Sequence, residues 1–232
     1  MKRFCLACAV LAAGLLFALY HPGNAAAGEI VGKVRAEGKP EAKEDLTNGS
    51  YESRKYKFLD RVEYDQMRDF VVYIDQPMPR SKPPSSPVQV IIQKDGTFRP
   101  HVLPILVGST VEWPNRDTIY HNVFSMSDAK PFDLGLYKNR QVKRVTFDKP
   151  GRVDVFCSIH TRMSCIILVL ENPYFASTNS DGAYRIADLP AGTYRVKAWH
   201  ERLPPQVKEI TVPEVGEAVL DFVLSVSGLP KY

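Results

Sequence analysis

Apolar and polar residues alternate over residues 29–36, EIVGKVRA, and over 69–75, DFVVYID, and each run predicts a β-strand. From Val88 the two-residue period returns in VQVIIQ, which runs into an Asp95-Gly96 turn. FRPHVLPILVGSTVEWPN follows and reads as two strands bending at Gly108. RQVKRVTFD, RVDVFC and SCIILVL predict three more strands, with a turn at Lys149-Pro150-Gly151. Along RVDVFC, Val153, Val155 and Cys157 share parity and face inward, as do Met163, Cys165, Ile167 and Val169 on the next strand. No segment of this region carries a 3.6-residue period, so the expected fold class is all-β. About seven short strands in about 85 residues predict a small Greek-key sandwich.

Composition shifts divide the chain. Residues 37–68 mix charges and tyrosines without periodicity and read as a long loop with at most one helical turn. QPMPRSKPPSSP places five prolines between Pro77 and Pro87, a semi-rigid linker over 78–87. After Asn172-Pro173 come turns at Asp181-Gly182 and Pro190–Gly192, then the strands VKEITV and AVLDFVL. That last segment is marginal as a domain alone, and the two strands of 28–77 have no evident sheet partner. The expected arrangement is a small domain split between 28–77 and 172–232 and interrupted by a second domain at 88–171. The alternative is that the N-terminal strands extend the sheet of 88–171.

Residues 1–27, with Lys2 and Arg3 ahead of the apolar run Phe4–Tyr20 and then small residues, predict a signal peptide and export to the periplasm. A retained anchor is the alternative, but the run is short for a bilayer span, so no span is expected after cleavage. Cleavage takes two cations and no anions from 30 basic and 26 acidic residues, leaving 28 and 26, or +2. So even a balance excludes a nucleic-acid partner. Cleavage also removes Cys5 and Cys8. The remaining Cys157 and Cys165 could form a disulfide, but a bridge would consume a thiolate for which the surrounding residues supply a use. Cys165 therefore reads as a small buried hydrophobe.

That use lies in FCSIHTRMSC, which spaces Cys157, His160 and Met163 as C-x2-H-x2-M, with His121 in YHNVFS 36 residues before Cys157. Two imidazoles, one thiolate and a weak axial thioether form the ligand set of a blue-copper site. Structural zinc favours several thiolates without a thioether, and c-type haem needs C-x-x-C-H. The expected cofactor is one copper ion per chain.

GSTVEWPNRDTIYHNVF, FDKPG and VFCSIHTRM resemble the cupredoxin family of plastocyanin, pseudoazurin and amicyanin, and the longer chain resembles methylamine-utilisation or plastocyanin-like proteins. TNSDGAYRIADLPAGTYRV resembles the carboxypeptidase regulatory-like, transthyretin-like β-domain. The resemblance implies a Greek-key cupredoxin sandwich plus a smaller immunoglobulin- or transthyretin-like one. It also implies that Asn122 hydrogen-bonds around the Cys ligand and ties the ligand loops together. Phe156 faces outward by parity, as an electron path or as cover for the sheet.

The function expected is single-electron transfer, through the edge of His160, with a redox protein that docks weakly. Copper delivery or sensing, and a β-domain interaction module with accessory copper, are the competing readings. Oligomeric state and partner identity are open at this level. An enzyme is not expected: after cleavage four His remain, two serve the copper, and His101 and His200 stand isolated. No Ser/His/Asp set, carboxylate pair or phosphate-binding loop stands out.

Overall fold

Every regular element of the described residues is a strand, in a computed structural model that describes residues 27–37, 68–78, 88–138 and 140–225. Residues 1–26 of the expected signal segment, 38–67 of the expected loop and 79–87 of the expected linker lie outside the described residues. The chain is all-β.

The first two strands are β1 (Gly28–Glu37) and β2 (Val71–Ile74). The middle of the chain contributes β3 (Gln89–Val90), β4 (Ile92–Lys94), β5 (Thr97–Arg99), β6 (Val102–Leu106), β7 (Thr110–Pro114), β8 (Phe124–Ser125), β9 (Phe132–Asp133), β10 (Val142–Thr146), β11 (Gly151–Phe156) and β12 (Ser164–Leu170). The rest are β13 (Phe175–Ser177), β14 (Ala183–Leu189), β15 (Gly192–Trp199), β16 (Gln206–Val212), β17 (Gly216–Val219) and β18 (Phe222–Ser225).

In the middle segment two sheets, ordered β10-β7-β3 and β6-β12-β11-β8-β9, enclose a core that includes Ile91, Trp113, Phe147, Val153, Val155 and Ile167, all fully buried. VQVIIQ, expected as one strand, is two. β3 runs parallel to β7, the chain bends at buried Ile91, and β4 turns back on β5. The break lets one run serve two pairings. Asp95 and Gly96, at φ 54° and 64°, form the two-residue turn of the β4–β5 hairpin, and positive φ at both positions matches the right-handed twist of the flanking strands. β8 and β9, in a stretch assigned no strand from the sequence, are too short to carry a period.

β1 pairs antiparallel with β14 and parallel with β17 and β18, while β2 lies between β13 and β15, with β16 at the edge. Ile30, Val34, Phe70, Ile186, Val196 and Phe222 form the core between these two sheets. The approach is close at Gly32, where a Cβ would lie 1.9 Å from the carbonyl oxygen of Leu220, so a larger residue there would push the β17–β18 connection off β1.

β12 is buried on both faces. Cys165, Ile167 and Val169 face the core of the middle segment. Ile166, Leu168 and Leu170 pack with Val71 and Val102, flanked by Tyr73, Phe175 and Trp199. The unbroken apolar run CIILVL is what a strand covered on two sides requires. This second face joins the two sandwiches.

His101 and His200, expected to be isolated, are not. The imidazole of His101 lies 3.1 Å from Glu201 Oε1 and 3.2 Å from the Ser164 carbonyl oxygen, so it bridges β12 and the loop after β15. Hydrogen bonding to Glu201 raises its pKa, with Asp69 adding to the effect. Burial opposes the ionisation of Glu201, but hydrogen bonds from His101 and Arg202 outweigh it and bring its pKa down to about 2. His200 stacks on Phe70 at 4.4 Å, and burial lowers its pKa to about 4.

The bridge makes stability depend on pH in two directions. A raised His pKa stabilises fully below the unfolded value of about 6.5 and loses that contribution as pH rises through the folded value. A depressed Glu pKa stabilises above about 4.3 and loses its contribution as pH falls toward the folded value. The bridge is thus complete between about pH 4.3 and 6.5. Thermal melts should show His101→Gln lowering Tm by about 2–4 °C inside this window and by less above it, as expected for a contact worth about 1 kcal/mol. A pH-independent loss would remove the ion pair from this account.

Candidate metal centre

β7 ends at Pro114 and delivers Asn115, fully buried, into the loop that carries His121. The Asn115 amide donates to the carbonyls of Ile119 (3.1 Å) and Tyr137 (2.9 Å), and its oxygen accepts from the Asp117 N–H (2.9 Å). The loop is therefore held by one side chain acting as a backbone substitute, as short amide side chains do in turns. His121 then pairs with Tyr137 through two backbone hydrogen bonds of 3.1 and 2.9 Å. Tyr137 is anchored below by donation to the Trp113 carbonyl at 2.8 Å.

Cys157 follows β11 directly, and its strand parity points it into the core. The loop to β12 is closed by Cys157 N–H donating to Met163 O (3.1 Å) and Met163 N–H to His160 O (2.9 Å). Seven residues thus hold one tight turn, with His160 at its half-buried outer side and Met163 at 1% exposure inside.

The structure brings three of the expected site residues together. Nδ1 of His121 and Nδ1 of His160 face each other at 3.1 Å, and Sγ of Cys157 lies 3.6 Å from Nδ1 of His160. One ligand atom from each of His121, Cys157 and His160 lies within 4.8 Å of the other two. Ligands about 2.0–2.3 Å from one ion stand roughly 3–4 Å apart, so this donor set fits a single metal. The chemistry fits as well, since a thiolate and two imidazoles suit a soft or borderline ion. Met163 packs in the same core cluster as Cys157.

Asn122 touches Cys157 and its loop. Its backbone N–H points at Sγ from 3.4 Å, its side-chain oxygen accepts from the Ser158 N–H at 3.3 Å, and its amide donates to Asp133 at 2.7 Å. A hydrogen bond from the Gly135 N–H, with that from Asn122, holds the Asp133 carboxyl below its usual range.

Cys165 is buried and free, opposite Val155, and burial pushes its thiol pKa well up. Phe156 is 42% exposed and stands 6.0 Å from Phe124. Three residues that position the site were not singled out from the sequence: Asn115, Asp117 and Tyr137. The available signal was Asn-Arg-Asp after the Trp113-Pro114 strand end, which puts an acid four residues before His121.

Residues 168–225 match the family model of the carboxypeptidase regulatory-like domain. No curated protein matches the chain. Among solved structures, a copper-containing nitrite reductase from Thermus scotoductus SA-01 is 30% identical, with a TM-score of 0.36 over 42% of this chain and 26% of that one. A Cu(I) form of an amicyanin mutant is 22% identical, with a TM-score of 0.35 over 43% of this chain and 98% of that one. A purple cupredoxin from Nitrosopumilus maritimus is 26% identical, with a TM-score of 0.32 over 35% of this chain and 99% of that one. This chain thus spans about a quarter of the nitrite reductase's length. The chain combines a carboxypeptidase regulatory-like match at residues 168–225 with a likeness, over less than half its length, to cupredoxins.

Proposed function

We propose that this protein is an exported, periplasmic blue-copper protein that carries single electrons between redox partners. The observation that carries the reading is the convergence of ligand atoms of His121, Cys157 and His160 within 4.8 Å, from loops far apart in sequence. His121, Cys157 and His160 would hold one copper ion, with Met163 as the weak fourth ligand from the apolar side. Copper, when bound, supplies a one-electron Cu(I)/Cu(II) couple.

The chain's own residues do the rest. Asn115 and the His121–Tyr137 pairing restrain the first loop, and Asn122 ties it to the second, so the donor atoms hold position whether or not charge changes among them. Buried Cys157 and Met163 keep water from the sulfur side. His160 is the half-exposed member, and Ile119, Tyr120, Leu136 and Ile159 are exposed on or beside the same loops. Exposed apolar residues on the loops that carry the imidazoles suit brief docking by a redox protein. No enzyme activity is proposed. His101 and His200 have structural partners, so among the described residues the only His/Cys/acid cluster suited to a metal is this one.

The domain organisation proposed is one small sandwich assembled from 28–77 and 172–232, with the copper domain at 88–171 inserted. Pairing of β1 and β2 with β13–β18 supports it. No described helix is long and apolar enough to cross a membrane.

The test is voltammetry of the copper-loaded protein. A reversible one-electron wave, with an intense visible band in the oxidised form, is expected. Copper that binds without reversible cycling would turn the reading to delivery.

A further inference from the structure

Asp117 lies outside the proposed ligand set, yet it touches His121 more closely than any proposed ligand does. Its Oδ2 is 2.7 Å from His121 Nε2. The same carboxylate accepts the backbone N–H of Asp95 at 2.8 Å and of Gly96 at 3.0 Å, the two residues of the β4–β5 turn. Its own N–H is held by Asn115. The carboxylate is thus held by the two amides of the turn, and the Asp117 backbone by the buried Asn115 side chain.

An ionised carboxylate only accepts hydrogen bonds. Two of its partners are amides and can only donate, so the third contact is satisfied when His121 carries its proton on Nε2. A neutral imidazole protonated on Nε2 has a bare lone pair on Nδ1. Nδ1 is the atom that lies 3.1 Å from His160 Nδ1, which is itself 3.6 Å from Cys157 Sγ. We infer that Asp117 is a positioning residue that fixes the tautomer and ring orientation of His121, leaving Nδ1 free for the metal, and that the β4–β5 turn is the brace that aims it. The inference rests on the copper reading for its consequence, but the tautomer itself is a property of the metal-free protein.

In the general pattern, a carboxylate behind a metal-binding imidazole orients the ring and raises its basicity, and its loss costs about 10–100-fold in metal affinity. Asp117→Asn replaces one acceptor oxygen by an NH2 group, which cannot serve both turn amides and His121.

The experiment has two arms. Nitrogen-15 NMR of the metal-free wild type should show His121 protonated on Nε2. In Asp117→Asn and Asp117→Ala the population should move toward the Nδ1–H form. Competition titration with Co(II) should then show an affinity about 10–100-fold lower in both variants. Near-ultraviolet circular dichroism checks that each variant is folded. A wild-type His121 protonated on Nδ1 overturns the inference and needs no variant at all. Folded variants with unchanged tautomer and Co(II) affinity within twofold of wild type overturn it as well. A wild type that takes neither Co(II) nor Cu(II) brings down the copper reading instead, while the NMR arm still decides what Asp117 does.

Discussion

On the copper reading, Cys157→Ser should abolish the intense visible band expected of the copper-loaded protein and lower copper affinity more than about 100-fold, beyond what losing a supporting contact costs. Such a band would arise from a thiolate bound to Cu(II), and a serine hydroxyl gives no such charge transfer. Cys157 is 5% exposed, and its sulfur makes long contacts, with the Asn122 N–H at 3.4 Å and His160 Nδ1 at 3.6 Å, so the structural cost is that of a buried hydroxyl. Cys165→Ser is the control. That sulfur belongs to the interior face of β12, across from Val155, so the colour persists while stability falls by about 1–3 kcal/mol from a buried hydroxyl. An unchanged visible spectrum in Cys157→Ser would sink the copper reading, whatever the control does.

Val34→Asp unfolds the sandwich built from both ends of the chain and leaves the visible band in place. Val34 is fully buried in the core with Ile30, Phe70 and Phe222. β1 is the inner strand of its sheet, bonded to β14 on one side and to β17 and β18 on the other. An unpaired carboxylate there costs several kcal/mol, a large fraction of the roughly 5–15 kcal/mol that holds a domain folded. Calorimetry should show one thermal transition lost or lowered by more than about 10 °C, and a second one little moved. The face that joins the two bodies is small: Ile166, Leu168 and Leu170 against Val71, Tyr73, Phe175 and Trp199. If the copper colour disappears together with the lost transition, residues 28–37 are integral to the copper domain and the split-domain proposal fails.

Much of the candidate site's geometry was legible along the chain. Cys157, His160 and Met163 lie within seven residues, so covalent geometry alone keeps them near one another, and the parity of RVDVFC and SCIILVL fixed which side chains turn inward. Burial of Val153, Val155, Met163, Cys165, Ile167 and Val169 follows that parity. The opposite face of β12 did not yield to the same rule. Ile166, Leu168 and Leu170 would face water on a one-sided sheet, and their burial depends on a second body that alternation says nothing about. VQVIIQ misled for a similar reason, because period-two alternation survives a bend at Ile91 that sends its halves to different partners.

Local order in the chain determined the all-β class, the loop that gathers Cys157, His160 and Met163, and the inward faces of its flanking strands, since each depends on residues a few bonds apart. The tertiary structure decided which sheets receive β1 and β2, that His101 and Glu201 meet across two bodies, and that a turn at Asp95-Gly96 grips the carboxylate behind His121. Those outcomes are long-range pairings. They are selected by how whole surfaces bury against each other, and a polar residue in a loop carries no mark of the partner that packing will bring to it.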